Sequence, residues 1–303
     1  MYRDFLLRLT ALCFLVPIGI QMSAEPIALS LRGGPERAPG NRLKFVEEFK
    51  GGTSPKFVVK DENGVTWRVK VGPEAKPETA ASRLLRAAGY VSDEDYYRQQ
   101  IHVEGLPSLS RGKSYVSPGG IVRDVRLERA PEEKPGEGWD WHKTHPADRQ
   151  AFNGLRVMMA LINNWDLKTS NNSTSEEHLV VSDLGATFGK TGKVFARSKG
   201  AVNDYAESKF VKKVTSEHVD FVMDSRPCFL VSVIRPKYYI ERTRMESVVR
   251  HIPIEDARAL GFRLDRLSRR QIGQCFRDSG FSESETEGYV KAVLERIATL
   301  KKL

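Results

Sequence analysis

Asn164-Trp165-Asp166-Leu167-Lys168-Thr169-Ser170-Asn171, followed after a short apolar run by Asp183-Leu184-Gly185-Ala186-Thr187-Phe188-Gly189, is the stretch that decides how the chain reads. It places carboxylates and an amide in neighbouring loops. A carboxylate can accept a proton, whereas an amide oxygen can only coordinate a cation or accept a hydrogen bond. Hard divalent ions prefer such oxygen donors. Gly185 would permit a tight backbone turn after Asp183. Each half alone says little, because Asx residues fill ordinary loops and Asp-x-Gly is a common turn. Joined by the strand-like Leu179-Val180-Val181, the two halves together predict a site for a metal-bound anion.

Working upstream, Phe152, Leu155, Met159 and Ile162 recur at helical spacing and predict a helix from about Ala147 to Ile162 that delivers the chain into this loop. Further back, Pro55 to Lys60 and Val65 to Val71 are β-rich runs around Asn63-Gly64, a hairpin signature. Lys70 falls on the second strand. Lys76-Pro77-Glu78 opens a helix with Pro77 at its first position, and Gly89 suits the residue beyond its end. Residues 112–129 read as further short strands, and Lys134 to Trp141 as a polar loop. Downstream, Ser268-x-x-Gln271 and Ser282-x-x-Glu285 are capping boxes opening helices in a mostly helical C-terminal third. Strands first and helices later predict an α+β protein of two lobes. The expected division is a β-rich N-lobe over 42–130 and a helix-rich C-lobe over 131–303.

This order suits phosphoryl transfer from ATP, which needs a strand lysine on the nucleotide phosphates, a helix glutamate to hold it, an aspartate to orient the acceptor, and oxygen donors for magnesium. The spacing of Asp166, Lys168 and Asn171 matches a protein-kinase catalytic loop that lacks the usual His-Arg pair. Lys70 is the strand lysine; Glu78, with Glu74 as a competitor, is its partner. Gly51-Gly52-Thr53-Ser54 precedes the first hairpin strand, where backbone N–H groups could cradle phosphates. Taken together, Asn-x-Asp-x(4)-Asn and Asp-x-Gly-x-x-Phe-Gly resemble the motifs of atypical kinases, including the HipA-type bacterial toxin kinases, the phosphatidylinositol 4-kinases and the secretory-pathway casein kinases. The resemblance covers roughly residues 43–195. It implies a two-lobed protein-kinase-like fold with ATP and Mg²⁺ or Mn²⁺ bound. By it, Asp166 is the catalytic base, Lys168 touches the transferred phosphate, and Asn171 and Asp183 hold the metal. The acceptor would be a hydroxyl on a protein, lipid or small molecule. The competing readings are a kinase-fold binding or scaffolding protein with an inactive pocket, and a nucleotidyl transferase using the same parts.

The remaining sequence narrows the class. The 303 residues carry a formal net charge of +9. The basic residues are interleaved with acids, as in Arg123-Asp124-Val125-Arg126, so no nucleic-acid stripe is expected. Cys13, Cys228 and Cys275 form no CxxC pair, which argues against a zinc site. Cys228 and Cys275 read as buried free thiols, with pairing open in an oxidising compartment. His142 and His145 read as surface residues, and Trp139, Trp141 and Trp165 as core in preference to substrate contacts. Residues 1–24, with Arg3 and Arg8 flanking the apolar run from Leu9 to Ile20, read as a signal peptide too short to span a membrane comfortably. Residues 25–41 follow as a loose lead-in. Export is the expectation if the signal is used, and a cytoplasmic product if translation starts at Met22.

Overall fold

Asn63 and Gly64 turn the chain as their chemistry dictates: Gly64 takes φ of +81°, and the Asp61 carboxylate accepts from the backbone N–H of Asn63 and Val65 and from the Trp67 indole. This computed structural model describes residues 38–51, 54–130, 136–175, 178–192 and 196–303. The expected signal peptide, most of the lead-in, and Gly52 lie outside those residues.

The N-terminal region is built from β1 (Leu43–Phe49), β2 (Lys56–Asp61), β3 (Thr66–Val71), α1 (Ala75–Ala87), β4 (Val91–Ser92), β5 (Asp95–Glu104), β6 (Val116–Ser117) and β7 (Ile121–Arg129). The sheet runs β3-β2-β1-β5-β7-β6, and a further pairing of β3 with β7 closes it on itself. The pairing of β1 with β5 is parallel; the others are antiparallel. Side chains alternate across a strand. Trp67, Val69 and Val71 therefore join Phe57, Val59, Val125 and Leu127 in the core inside this sheet. Lys70 and Arg126, paired in register across β3 and β7, lie on the other face.

α1 starts at Ala75, so Pro77 is its third residue rather than its first. Its missing N–H is still harmless there, because the first-turn donors have no intrahelical partner. Gly89, at φ of +85°, follows the cap residue Ala88 as expected. The apolar face of α1, with Ala80, Leu84 and Leu85, packs into the C-terminal core.

That region contains α2 (Arg149–Leu161), β8 (Asn172–Ser175), β9 (His178–Val181), α3 (Val202–Glu207), β10 (Val211–Val214), β11 (His218–Phe221), α4 (Leu230–Ile234), α5 (Pro236–Ser247), β12 (Ile252–Pro253), α6 (Ile254–Leu264), α7 (Arg269–Arg277) and α8 (Glu283–Lys302). Asp148 caps α2 through the Ala151 N–H, and both serine capping boxes are formed, at Ser268 and Ser282. β9 pairs with β8 and, in parallel, with β4. Phe188, Tyr205, Phe276 and Tyr289 form an aromatic knot in which Phe276 and Tyr289 stack at 4.7 Å. Trp139 and Trp141 are buried and Trp165 is partly buried; His142 and His145 are exposed.

The structure corrects some expectations. β5 is a long strand in a stretch for which no strand was expected; the successive exposed residues Arg98, Gln99 and Gln100 break the alternation. The C-terminal third also holds the sheet β10-β11-β12, whose outer strand, Val211-Lys212-Lys213-Val214, is mostly exposed and carries little apolar signal. Cys275 is buried, but Cys228 is exposed; both are free.

Candidate active site

Lys70 points away from the core inside the closed sheet and toward α1. Its ammonium lies 2.7 Å from Glu78 Oε2, 3.1 Å from Glu74 Oε2 and 2.6 Å from Asp183 Oδ1. Both glutamates flagged by the sequence are therefore partners, one on α1 and one just before it. Burial alone would push the Lys70 pKa down; Glu78, Asp183 and Glu74 outweigh that and the repulsion of Arg126, and the pKa is raised. The lysine is thus held protonated. Burial works against the charge on Glu74, yet Lys70, Lys199 and the Ser54 hydroxyl lower its pKa to about 2. Ser54 Oγ donates to Glu74 Oε2 at 2.7 Å, and Lys199 is ion-paired with Oε1. Glu78 is fully enclosed, with Arg126 Nε 3.4 Å from the same oxygen that faces Lys70.

The carboxylates of Glu74, Glu78 and Asp183 lie close enough together to hold a metal ion. Lys70 already serves all three, so this cluster is a lysine seat rather than a metal seat. A divalent ion would have free donors one step outward. Asp183 meets Lys70 only through Oδ1 and its side chain is 40% exposed, leaving Oδ2 for a ligand. The Ser182 N–H donates to the Asn171 carbonyl at 2.8 Å, which brings the Asn171 loop against the residue before Asp183. An amide oxygen and a carboxylate oxygen on adjoining loops are donors of the right hardness for Mg²⁺ or Mn²⁺.

The Asp166 loop is held by its own hydrogen bonds. The Asp166 N–H donates to Asn164 Oδ1 at 3.1 Å, Asn171 Nδ2 donates to the Asp166 carbonyl at 3.0 Å, and Lys168 Nζ is 2.8 Å from Asp166 Oδ2. Asn163, at φ of +53°, donates to the Gly189 carbonyl and to Ser208 Oγ and accepts from Arg296 on α8. The loop is thereby fastened both to the segment after Asp183 and to the last helix.

Gly185 is needed for a different reason from the expected one. The left-handed residue of this turn is Asp183, at φ of +52°. Gly185 has an ordinary φ, but a Cβ there would sit 2.8 Å from Glu74 Cβ. The glycine lets Glu74 approach the loop and so reach Lys70. Gly51 is exposed at the edge of the loop before β2, and its carbonyl accepts from Arg111 at 3.0 Å.

No protein-family model matches the chain, and no curated protein does. Among solved structures, the Helicobacter pylori proinflammatory kinase CtkA is similar at a TM-score of 0.50 and 12% identity, over 87% of this chain and 96% of that one. The chain has the fold of an atypical kinase. The Golgi casein kinase is similar at 12% identity over 88% of this chain and 73% of that one, with a TM-score of 0.42. A structure of it with Mn/ADP bound gives a TM-score of 0.39 at 12% identity, over 88% and 72%.

Within this kinase fold, the segment beyond residue 195 contributes what sequence reading missed. Arg242, buried on α5, donates to the Trp165 carbonyl at 2.9 Å and lies 3.6 Å from Asp166 Oδ1. The cationic groups of Arg197, Lys199 and Arg242 lie 5.0, 5.5 and 5.7 Å from the centre of the Trp165 ring. Such cation–π contacts orient both ring and cation. Trp165 is therefore a hub that fixes the Asp166 backbone. Its place between Asn164 and Asp166 was the one available signal; the cations come from regions with no motif.

Proposed function

We propose that this chain is an ATP-dependent phosphotransferase acting on a hydroxyl acceptor. The observation that carries the reading is the bonding of Lys70 both to Glu78 on α1 and to Asp183 after β9. A strand lysine, a helix glutamate and a post-loop aspartate, far apart in sequence, meet at one ammonium, as nucleotide-phosphate binding in a kinase requires. The similarity to CtkA supports a kinase-like fold around that ammonium.

Lys70 would hold the nucleotide phosphates, and Glu74 and Glu78 keep it charged and in place. Asp166 would orient the acceptor hydroxyl and take its proton as the oxygen attacks phosphorus; the bond from the terminal phosphorus to the nucleotide diphosphate breaks. Lys168, beside Asp166, would meet the transferred phosphoryl group. Asn171 and Asp183 would hold Mg²⁺ or Mn²⁺, which neutralises charge on the phosphate oxygens.

The test is a thermal-shift titration with ATP, with and without each metal, alongside a phosphate-transfer or self-modification assay. Expected is a rise in Tm with ATP that depends on the divalent ion and is weakened in Asp183→Asn. Absence of nucleotide binding with any divalent ion would leave the scaffold reading in its place.

A further inference from the structure

The segment joining β11 to α5 exposes large apolar side chains that nothing in the fold requires to be outside. Phe229, Leu230, Val233 and Ile234 are 71–77% exposed, and Ile240 on α5 is 58% exposed. The first four fall at spacings that share one side of α4. Such a patch on a folded surface marks a contact with something else.

The charges around the patch indicate what that is. Arg235 and Lys237 are exposed between α4 and the middle of α5 and make no ion pair among the described residues. Arg226 and Arg244 flank them, paired with Glu246 and Asp140. The acids nearby are Asp224, which pairs with Lys212, and the exposed Glu241. Tyr238 and Tyr239 lie half-buried among these groups. At this degree of exposure the apolar side chains project outward rather than line a groove. A protein partner would need a matching hollow. A second copy across a two-fold axis would set Arg235 and Lys237 against themselves. A fluid interface with negative headgroups accepts projecting aliphatic and aromatic side chains with lysine and arginine beside them.

We propose that the α4–α5 face seats this chain on an anionic lipid bilayer. The face is continuous with the candidate active site. Lys237, Ile240 and Arg244 also line a cavity of about 380 Å³ whose other wall is Leu167, Lys168, Thr169 and Ser170 of the Asp166 loop. Seating would turn the mouth of that cavity toward the bilayer. The docking itself does not depend on phosphoryl transfer, so the two proposals fail separately.

Cys228 supplies a reporter at the edge of the patch: it is free and exposed, whereas Cys275 is buried with its thiol pKa pushed up to about 12. The full chain carrying Cys13→Ser would be labelled at Cys228 with an environment-sensitive thiol dye. It would then be mixed with vesicles of phosphatidylcholine alone or with added phosphatidylserine. Expected are a blue shift and protection from an aqueous quencher only with phosphatidylserine, both weakened by high salt. Val233→Asp/Ile234→Asp should abolish the shift while Tm and nucleotide binding stay at the parent value. Lys237→Ala should weaken vesicle binding roughly fivefold, as expected for one juxtamembrane charge. The proposal is overturned by a flat signal on phosphatidylserine vesicles, or by a shift that survives Val233→Asp/Ile234→Asp. A shift that grows with protein concentration without vesicles also overturns it and marks self-association instead.

Discussion

Lys70 and Lys168 are both lysines 2.6–2.8 Å from a carboxylate of the same site, yet they are held in opposite ways. Lys70 is 1% exposed, on a strand, and two of its partners lie on or next to a helix packed over that strand. Lys168 is 42% exposed, in an irregular loop, and meets one partner two residues away. The first is fixed by strand register and burial, so it is part of the architecture. The second is free to follow a ligand. By the proposed function, one site would thus join a rigid phosphate anchor to an adaptable edge where transfer would occur.

The largest test of that contrast falls on the loop. Asp166→Asn should leave metal-dependent nucleotide binding almost intact and slow transfer by about 10²–10⁴-fold, the usual range for a lost acid–base group. Paired thermal-shift and transfer assays read the two effects separately; transfer at the parent rate would place the base elsewhere. Lys70→Ala should break the anchor instead. It strips the buried cation from Glu74, Glu78 and Asp183, and removing one partner of a buried ion cluster costs about 3–5 kcal/mol. Urea unfolding at constant m-value would show it, together with loss of nucleotide binding.

Gly185→Ala comes next. The added Cβ meets Glu74 at 2.8 Å, and overpacking of this kind costs about 1–3 kcal/mol. Because Glu74 must retreat, nucleotide affinity should fall along with Tm, whereas a purely structural defect would lower Tm alone. Lys168→Ala should have the smallest effect on stability, below about 1 kcal/mol for so exposed a pair. It should still slow transfer, and equal losses of stability in the two lysine variants would erase the contrast between anchor and loop.

The anchor also predicts a pH response. The Glu74 pKa is lowered from an ordinary 4.5 to about 2, and that of Asp183 is lowered too. A depressed carboxylate stabilises the fold fully above its ordinary pKa, and that contribution is lost as pH falls through the folded-state value. Acid titration of Tm should show a loss between about pH 4 and 2 that is reduced in Glu74→Gln.

The hairpin at Asn63-Gly64, the strand position of Lys70, the capping boxes at Ser268 and Ser282, and the grouping of Asp166, Asn171 and Asp183 were all legible in the sequence. Each rests on local chemistry: a turn that needs positive φ, an alternating strand, a serine at a helix start, or oxygen donors at short spacing. β5 was not legible, because Arg98, Gln99 and Gln100 are three successive exposed polar residues that break its alternation. The small sheet β10-β11-β12 was hidden because its outer strand, with Lys212 and Lys213, is mostly exposed and shows no apolar alternation.

The residue types of the site and their order along the chain were determined by the sequence alone. Tertiary structure decided that Glu74 and Glu78 share Lys70, that Gly185 is there to admit Glu74, and that Trp165 and Arg242 fasten the Asp166 loop. These are contacts between segments remote in sequence. They depend on which face of β3 looks at α1 and on where α5 lands against the Asp166 loop, and such packing leaves no local pattern to read.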